Sequence, residues 1–329
     1  MTKRVTIKSI AQDLGISHMT VSRALSDHPN VHKDKREAIK ARARELGYVP
    51  NAAAKAMRGD GTKIVGLLLP NITNEFYARF ANAMALACEA NSLHLIIHLT
   101  NDDSALERQA LERLREVQAM AVLMVPTPAT SPHEQPSASG LNVIQLVRQR
   151  AIDGTSGTVL IDDHKAIHDA VVHLAQQGHR AIGFIGANNN LSSGKQRLAA
   201  FRAGLTTTGL SEDAALVHTG SPSFEMGRSC FGKLLKGKSA TALVCGGVEI
   251  SNGALSALME HGPGSAKQLA FIGYGDPSYY RWLAGGISTI RLPIDALAQE
   301  AMALLQPNGD AAKGSGLRKL NAELVLRGP

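Results

Sequence analysis

Aromatic residues are scarce in this chain. They make up 4% of its 329 residues, with a single tryptophan, so its core is built from aliphatic side chains. Cysteine is scarcer still. Cys88, Cys230 and Cys245 are odd in number and stand at unrelated spacings, which argues against a disulfide framework or a cysteine metal site and favours reduced, buried thiols. No apolar run reaches membrane-spanning length, and Thr2, Lys3 and Arg4 lead into a helix rather than an export signal, so a cytoplasmic location without a membrane partner is expected. The catalytic patterns GxSxG and HExxH and the dinucleotide pattern GxGxxG are all missing. No catalytic constellation takes their place. The chain reads as a binder without metal or cofactor, not as an enzyme.

What is present starts at the N-terminus, with RVTIKSIAQDLGISHMTVSRALS at 4–26. The spacing predicts helix, tight turn, helix. Thr6 caps the first helix, Ile7, Ile10, Ala11 and Leu14 form its apolar stripe, and Gly15 supplies the left-handed residue that ends it. Ser17 caps the second, where Val21, Ala24 and Leu25 share one face. His18, Met19, Ser22 and Arg23 share the other, because positions three and four apart stack. Such a helix is built to lie against a polar surface, and in a helix-turn-helix that surface is the DNA major groove. Charge agrees. The chain carries +7, and residues 1–60 hold +6 of it, as phosphate binding requires.

A third helix is expected near 34–46, with Ala38, Ile39, Ala41 and Leu46 inward and Gly47 ending it. NAAAKAMRGDG at 51–61 follows, where Asn51 can cap a helix too short to stand alone. From 63 the texture changes to apolar runs alternating with amphipathic helices. Strands are expected at 63–69, 93–99, 121–125, 142–147, 158–162, 181–186, 241–245, 268–274 and 287–290. Helices are expected at 75–91, 103–118, 164–177, 191–208, 223–236, 248–261 and 294–305, ahead of a terminal LRKLNAELVLR. This alternation implies parallel α/β layers, and the length implies two of them with a cleft between. Loops after 69, 99, 125, 186, 220, 246 and 274 should face that cleft. GKLLKGKS at 232–239 fits the phosphate-loop pattern letter for letter, but a helix precedes it and a strand follows, the reverse of what phosphate binding needs.

VTIKSIAQDLGISHMTVSRALS, LGYVPN (46–51), PNITNEFY (70–77), HLAQQGHRAIGFIG (173–186), RLAAFRAGL (197–205), FIGYGD (271–276), ISTIRLP (287–293) and ELVLRG (323–328) together resemble the LacI/GalR family of bacterial transcription regulators over nearly the whole chain. The resemblance implies an N-terminal all-α helix-turn-helix domain (1–50), a hinge linker (51–61) and an α/β periplasmic-binding-protein-like domain (62–329) of two doubly wound parallel-sheet subdomains. These would span about 62–161 with 292–319, and 162–291 with 320–329. It implies a homodimeric repressor on a palindromic operator. His18, Met19 and Arg23 would read bases. Thr6, Ser17, Thr20, Ser22, Asn51 and Lys55 would serve phosphates or caps. Met57 stands where the family places a minor-groove wedge.

For the effector, the resemblance points to Asn74, Phe76, Tyr77, Arg148, Ser193, Arg197 and Asp276. Two departures matter. Gly247-Val248 replaces an Asn-Asp pair, and Gly273-Tyr274-Gly275 replaces Gly-Phe-Asp. A pocket that loses hydroxyl acceptors and keeps its arginine favours an anionic or less hydroxylated effector over a neutral hexose, with a neutral sugar or a phosphosugar as the alternative. SPSFEMGR (221–228) and GYGD resemble the gluconate-repressor branch, whose ligands are sugar acids. The alternatives are a solute-binding protein, which would have no use for residues 1–60, and a nucleotide-dependent enzyme, which would need an intact phosphate loop. Tyr279, Tyr280 and Trp282 are candidates for stacking on the ligand or for ordinary packing.

Overall fold

The computed structural model describes residues 5–48, 62–128, 140–236, 240–260, 269–305 and 316–327. It divides into two compact units, Met1–Thr62 and Lys63–Pro329. In the first, helices α1 (Ile7–Leu14), α2 (His18–Leu25) and α3 (Lys33–Glu45) close on a core of Ile10, Ala11, Val21, Ala24, Val31, Ile39 and Ala43. Thr6 and Ser9 close the N-terminus of α1 reciprocally. Thr6 Oγ1 accepts from Ser9 N at 3.2 Å, and Ser9 Oγ accepts from Thr6 N at 2.8 Å. Gly15 ends the helix at φ 63°. Ser17 Oγ accepts from Thr20 N at 3.1 Å and starts α2. One expectation for α3 is corrected. Ala38 and Ala41 are exposed, and Ala43 is buried four residues after Ile39. Alanine costs nothing on a solvent face, so its presence does not mark the inward stripe.

The second unit holds two six-stranded sheets. In the first, β1 (Ile64–Leu69), β2 (His94–Leu99), β3 (Ala121–Met124), β4 (Val143–Leu146), β5 (Thr155–Asp162) and β11 (Gly316–Asn321) run parallel in the order β11-β5-β4-β3-β1-β2. The second contains β6 (Ile182–Ala187), β7 (Val217–Gly220), β8 (Ala242–Gly246), β9 (Ala270–Tyr274), β10 (Ser288–Arg291) and β12 (Glu323–Val325). Its order is β12-β10-β9-β8-β6-β7, parallel except where β12 meets β10. The helices are α4 (Glu75–Ala90), α5 (Ser104–Glu116), α6 (His164–Gln176), α7 (Ser192–Thr207), α8 (Phe224–Lys236), α9 (Val248–Glu260) and α10 (Ile294–Leu305). The chain passes between the sheets three times: after β5, after β10, and between β11 and β12.

Inner strands such as IVGLLL and IGFIGA are covered on both faces and therefore read as continuous apolar runs. The edge strand β2 alternates instead, and leaves Ile97 and Leu99 each 42% exposed. Strand β7, VHTG, has no apolar run because it is a short edge. All three cysteines are buried free thiols. Helix α8 contains Gly232 and is followed by β8, so the phosphate-loop pattern has helix and strand in the wrong order for that role.

Helices α8 and α9 approach backbone to backbone. A Cβ on Gly253 would lie 1.9 Å from the Phe224 carbonyl oxygen, and one on Gly227 would lie 2.1 Å from that of Ile250. Neither oxygen can yield without moving a helix. Gly253→Ala should therefore destabilise the second unit by at least about 1–3 kcal/mol, the usual cost of overpacking, as read by chemical denaturation. A change within about 0.5 kcal/mol would show that the helices separate freely.

Candidate effector cleft and nucleic-acid interface

The carboxyl ends of both sheets converge on one cleft. Residues just beyond β1 (Pro70, Asn71, Asn74), β4 (Val147, Arg148), β6 (Leu191) and β8 (Gly247, Val248) line it, with strand ends such as Ala187. About 660 Å³ of space lies between these residues when the open solvent at its mouth is counted in.

Arg197, on α7, organises the floor. Its Nε donates to Asp163 Oδ2 at 2.6 Å and its Nη1 to the Gly246 carbonyl at 3.2 Å. The guanidinium lies 4.4 Å over the centre of the Tyr274 ring, and the Tyr274 hydroxyl donates to the same Asp163 oxygen at 2.5 Å. Burial works against the charge on Arg197, but Tyr274 and Asp163 outweigh it and raise the guanidinium pKa. Burial also pushes the Tyr274 phenol well above its ordinary value, so it stays a donor. Arg148 makes a second pair. It donates through Nη1 to Asp102 Oδ1 at 2.6 Å and through Nη2 to Oδ2 at 3.4 Å. The residue before it, Val147, sits at φ 64°. That conformation is strained for a β-branched side chain, and it directs the chain at the point where Arg148 enters the cleft.

Ser193, Asn74, Phe76 and Tyr77 also line the cleft. Asn74 Oδ1 accepts from Phe76 N at 3.0 Å and so caps α4, while Phe76 and Tyr77 meet edge to face at 5.2 Å. Asp276 is the exception, and its assignment to the cleft is corrected. At φ 53° it turns away from the cleft and is clasped by Arg291 Nε at 2.9 Å and by Arg327 Nη1 and Nη2 at 2.5 and 3.0 Å. Burial would raise its pKa, but the two arginines hold it below the ordinary value. Tyr279, Tyr280 and Trp282 do not line the cleft either. Tyr280 is buried on Ser251 Oγ at 2.5 Å, Tyr279 donates to Asn252 Oδ1 at 2.6 Å, and Trp282 is 72% exposed.

Sequence reasoning missed Asp102, Asp163, Tyr274 and Glu249. The strand-end rule that marked the loops after 99, 246 and 274 could have found three of them, and the end of β5 the fourth.

On the first unit, α2 turns Val21 and Ala24 inward and exposes His18, Met19 and Arg23, with Thr20 and Ser22 half-buried. Met19 is 54% exposed, an apolar side chain held out toward solvent. Much of the basic charge of α3 is spent internally. Arg42 grips Asp13 through Nε at 2.6 Å and Nη2 at 2.9 Å, and Lys40 reaches Asp27 at 2.6 Å. Arg23 has no such partner among the described residues. The hydroxyls of Thr6, Ser17 and Thr20 already serve the caps. Asn51, Lys55 and Met57 lie outside the described residues.

Removing one member of a buried pair strands the other charge. Arg197→Ala should lower stability by about 3–5 kcal/mol, and Arg197→Lys by less, measured by denaturant unfolding. Equal stability of all three proteins would mean that Asp163 needs no counter-ion.

Comparison with known proteins agrees with this anatomy. Residues 6–51 match the model for bacterial regulatory proteins of the lacI family. Residues 62–302 match that for periplasmic binding proteins and the sugar binding domain of the LacI family. The transcriptional regulator GalR of Salmonella typhimurium is 29% identical over 307 residues, covering 91% of this chain and 88% of that protein. The repressor PurR of Haemophilus influenzae is 27% identical over 305 residues, covering 91% and 90%. The lac repressor dimer solved with operator and an anti-inducer has the same fold, with a TM-score of 0.83 at 18% identity over 99% of this chain and 98% of that one. The chain belongs to the LacI family and is a DNA-binding transcriptional regulator.

Proposed function

We propose that this regulator is a cytoplasmic, homodimeric repressor of a palindromic operator, and that a small effector in the cleft controls it by binding, without catalysis. The carrying observation is the joint presence of an outward α2 face whose exposed Arg23 has no side-chain partner among the described residues and a cleft floored by two buried guanidiniums. One helix-turn-helix reads a half-site, so two copies are needed for a palindrome. The exposed Ile97 and Leu99 of the edge strand, with the 60% exposed Leu86 of α4, offer an apolar face for the second copy. Asn51, Lys55 and Met57 would belong to the linker that effector and operator both bias.

The anionic-effector reading, with a sugar acid such as gluconate as the model ligand, is supported by Arg197 and Arg148 together. Nη2 of Arg197 makes no hydrogen bond among the described residues and is available to a carboxylate. One observation favours a neutral sugar instead. Each guanidinium already has its own carboxylate, so the arginine pairs add no net positive charge.

Fluorescence anisotropy on a palindromic operator tests the reading. Arg23→Ala should weaken specific binding by about 1–3 kcal/mol and non-specific binding by less. Equal losses would reduce Arg23 to a phosphate contact. Ile97→Asp should shift the sedimentation equilibrium toward monomer and weaken operator binding with it. An unshifted dimer would place the interface elsewhere.

A further inference from the structure

Six ionisable side chains line the cleft: Tyr77, Asp102, Arg148, Arg197, Glu249 and Tyr274. Five are committed. Asp102 holds Arg148, and Asp163 holds both Arg197 and the Tyr274 hydroxyl. The Arg148 charge bears on the Tyr77 phenol. Glu249 stands apart, with no hydrogen bond or ion pair among the described residues. It sits in the first turn of α9, half-buried, two places after Gly247. Burial raises its pKa above its ordinary value, and no cation offsets that cost. Its surroundings are acidic as well. Glu75, on the first turn of α4, and Glu249 both act on the Tyr279 phenol, which burial first and these carboxylates second push up to about 12. With Arg148 balanced by Asp102 and Arg197 by Asp163 beneath the lining, the remaining charge is negative and resides on Glu249.

We propose that Glu249 is the specificity-determining acceptor of the cleft. Its carboxylate takes the hydroxyl or ammonium protons of a polyhydroxylated ligand that carries at most one negative charge. The inference rests on the reading of the cleft as the effector site. It also revises what Gly247 and Val248 imply. Their loss of polar atoms does not empty the cleft of acceptors, because the next residue supplies one from a different angle of the helix. A half-desolvated carboxylate without a partner gains from every donor a ligand brings. A dianionic phosphosugar is repelled by the same charge. A sugar acid fits both ends of the cleft: its carboxylate meets a guanidinium and its hydroxyls meet Glu249.

Isothermal titration of the full chain with gluconate, galactose, glucosamine and glucose 6-phosphate tests this. Wild type should bind at least one of the first three more tightly than glucose 6-phosphate. Glu249→Gln, which keeps the shape and breaks no ion pair, should weaken that ligand about tenfold or more, because a charged acceptor becomes a neutral one. The same variant should narrow the disadvantage of glucose 6-phosphate, and the ligand-free protein should melt no lower than wild type. Affinity within about twofold of wild type in Glu249→Gln would overturn the assignment while leaving the effector site standing. Glucose 6-phosphate as the tightest wild-type ligand would also overturn it. Failure of all four probes to bind wild type would remove the effector reading, and this inference with it.

Discussion

A buried guanidinium must be answered by a carboxylate, and the Arg197–Asp163 pair is where this chain meets that demand. Asp163 directly follows β5 of one sheet, and Arg197 stands on the helix that follows the first strand of the other. The pair therefore lies where the chain first crosses between sheets. Tyr274 and the Gly246 carbonyl, both at strand ends of the second sheet, complete the arginine's contacts. A ligand entering here meets a charge already in use. It gains by offering an acceptor to the remaining Nη2, or by satisfying groups around the pair, and gains little from charge alone. This constraint explains why the cleft can hold two arginines without being an anion trap.

The DNA-binding unit shows the same economy. Its net charge is positive, yet Arg42 and Lys40 are paired at the surface with Asp13 and Asp27 beside a very small core. Exposed pairs of this kind contribute little each. Their effect on function is to leave the outward face of α2 with His18, Met19 and Arg23 as its distinctive chemistry.

Most of the architecture was legible in the chain because it rests on local signals. Ile294–Leu305 appears as a helix where an amphipathic helix was expected, and the inner strands announce themselves as apolar runs. The cleft was half legible. Asn74, Phe76, Tyr77, Arg148, Ser193 and Arg197 come together, whereas Asp276 does not. Its clasp involves Arg291 and Arg327, 15 and 51 residues onward, a pairing that no local pattern encodes. The counter-ions were invisible for the same reason. Asp102 and Asp163 stand 46 and 34 residues from their arginines and meet them only because strand ends gather. Reading the arginines without their partners made the cleft look more cationic than it is.

The central claim is that Arg197 and Asp163 act as one unit at the crossing of the two sheets. A double-mutant cycle on unfolding free energy, with Arg197→Met, Asp163→Asn and both together, tests it most directly. The account predicts a coupling of at least about 1 kcal/mol, with the double variant more stable than the sum of single losses implies. Additivity within about 0.5 kcal/mol would contradict it.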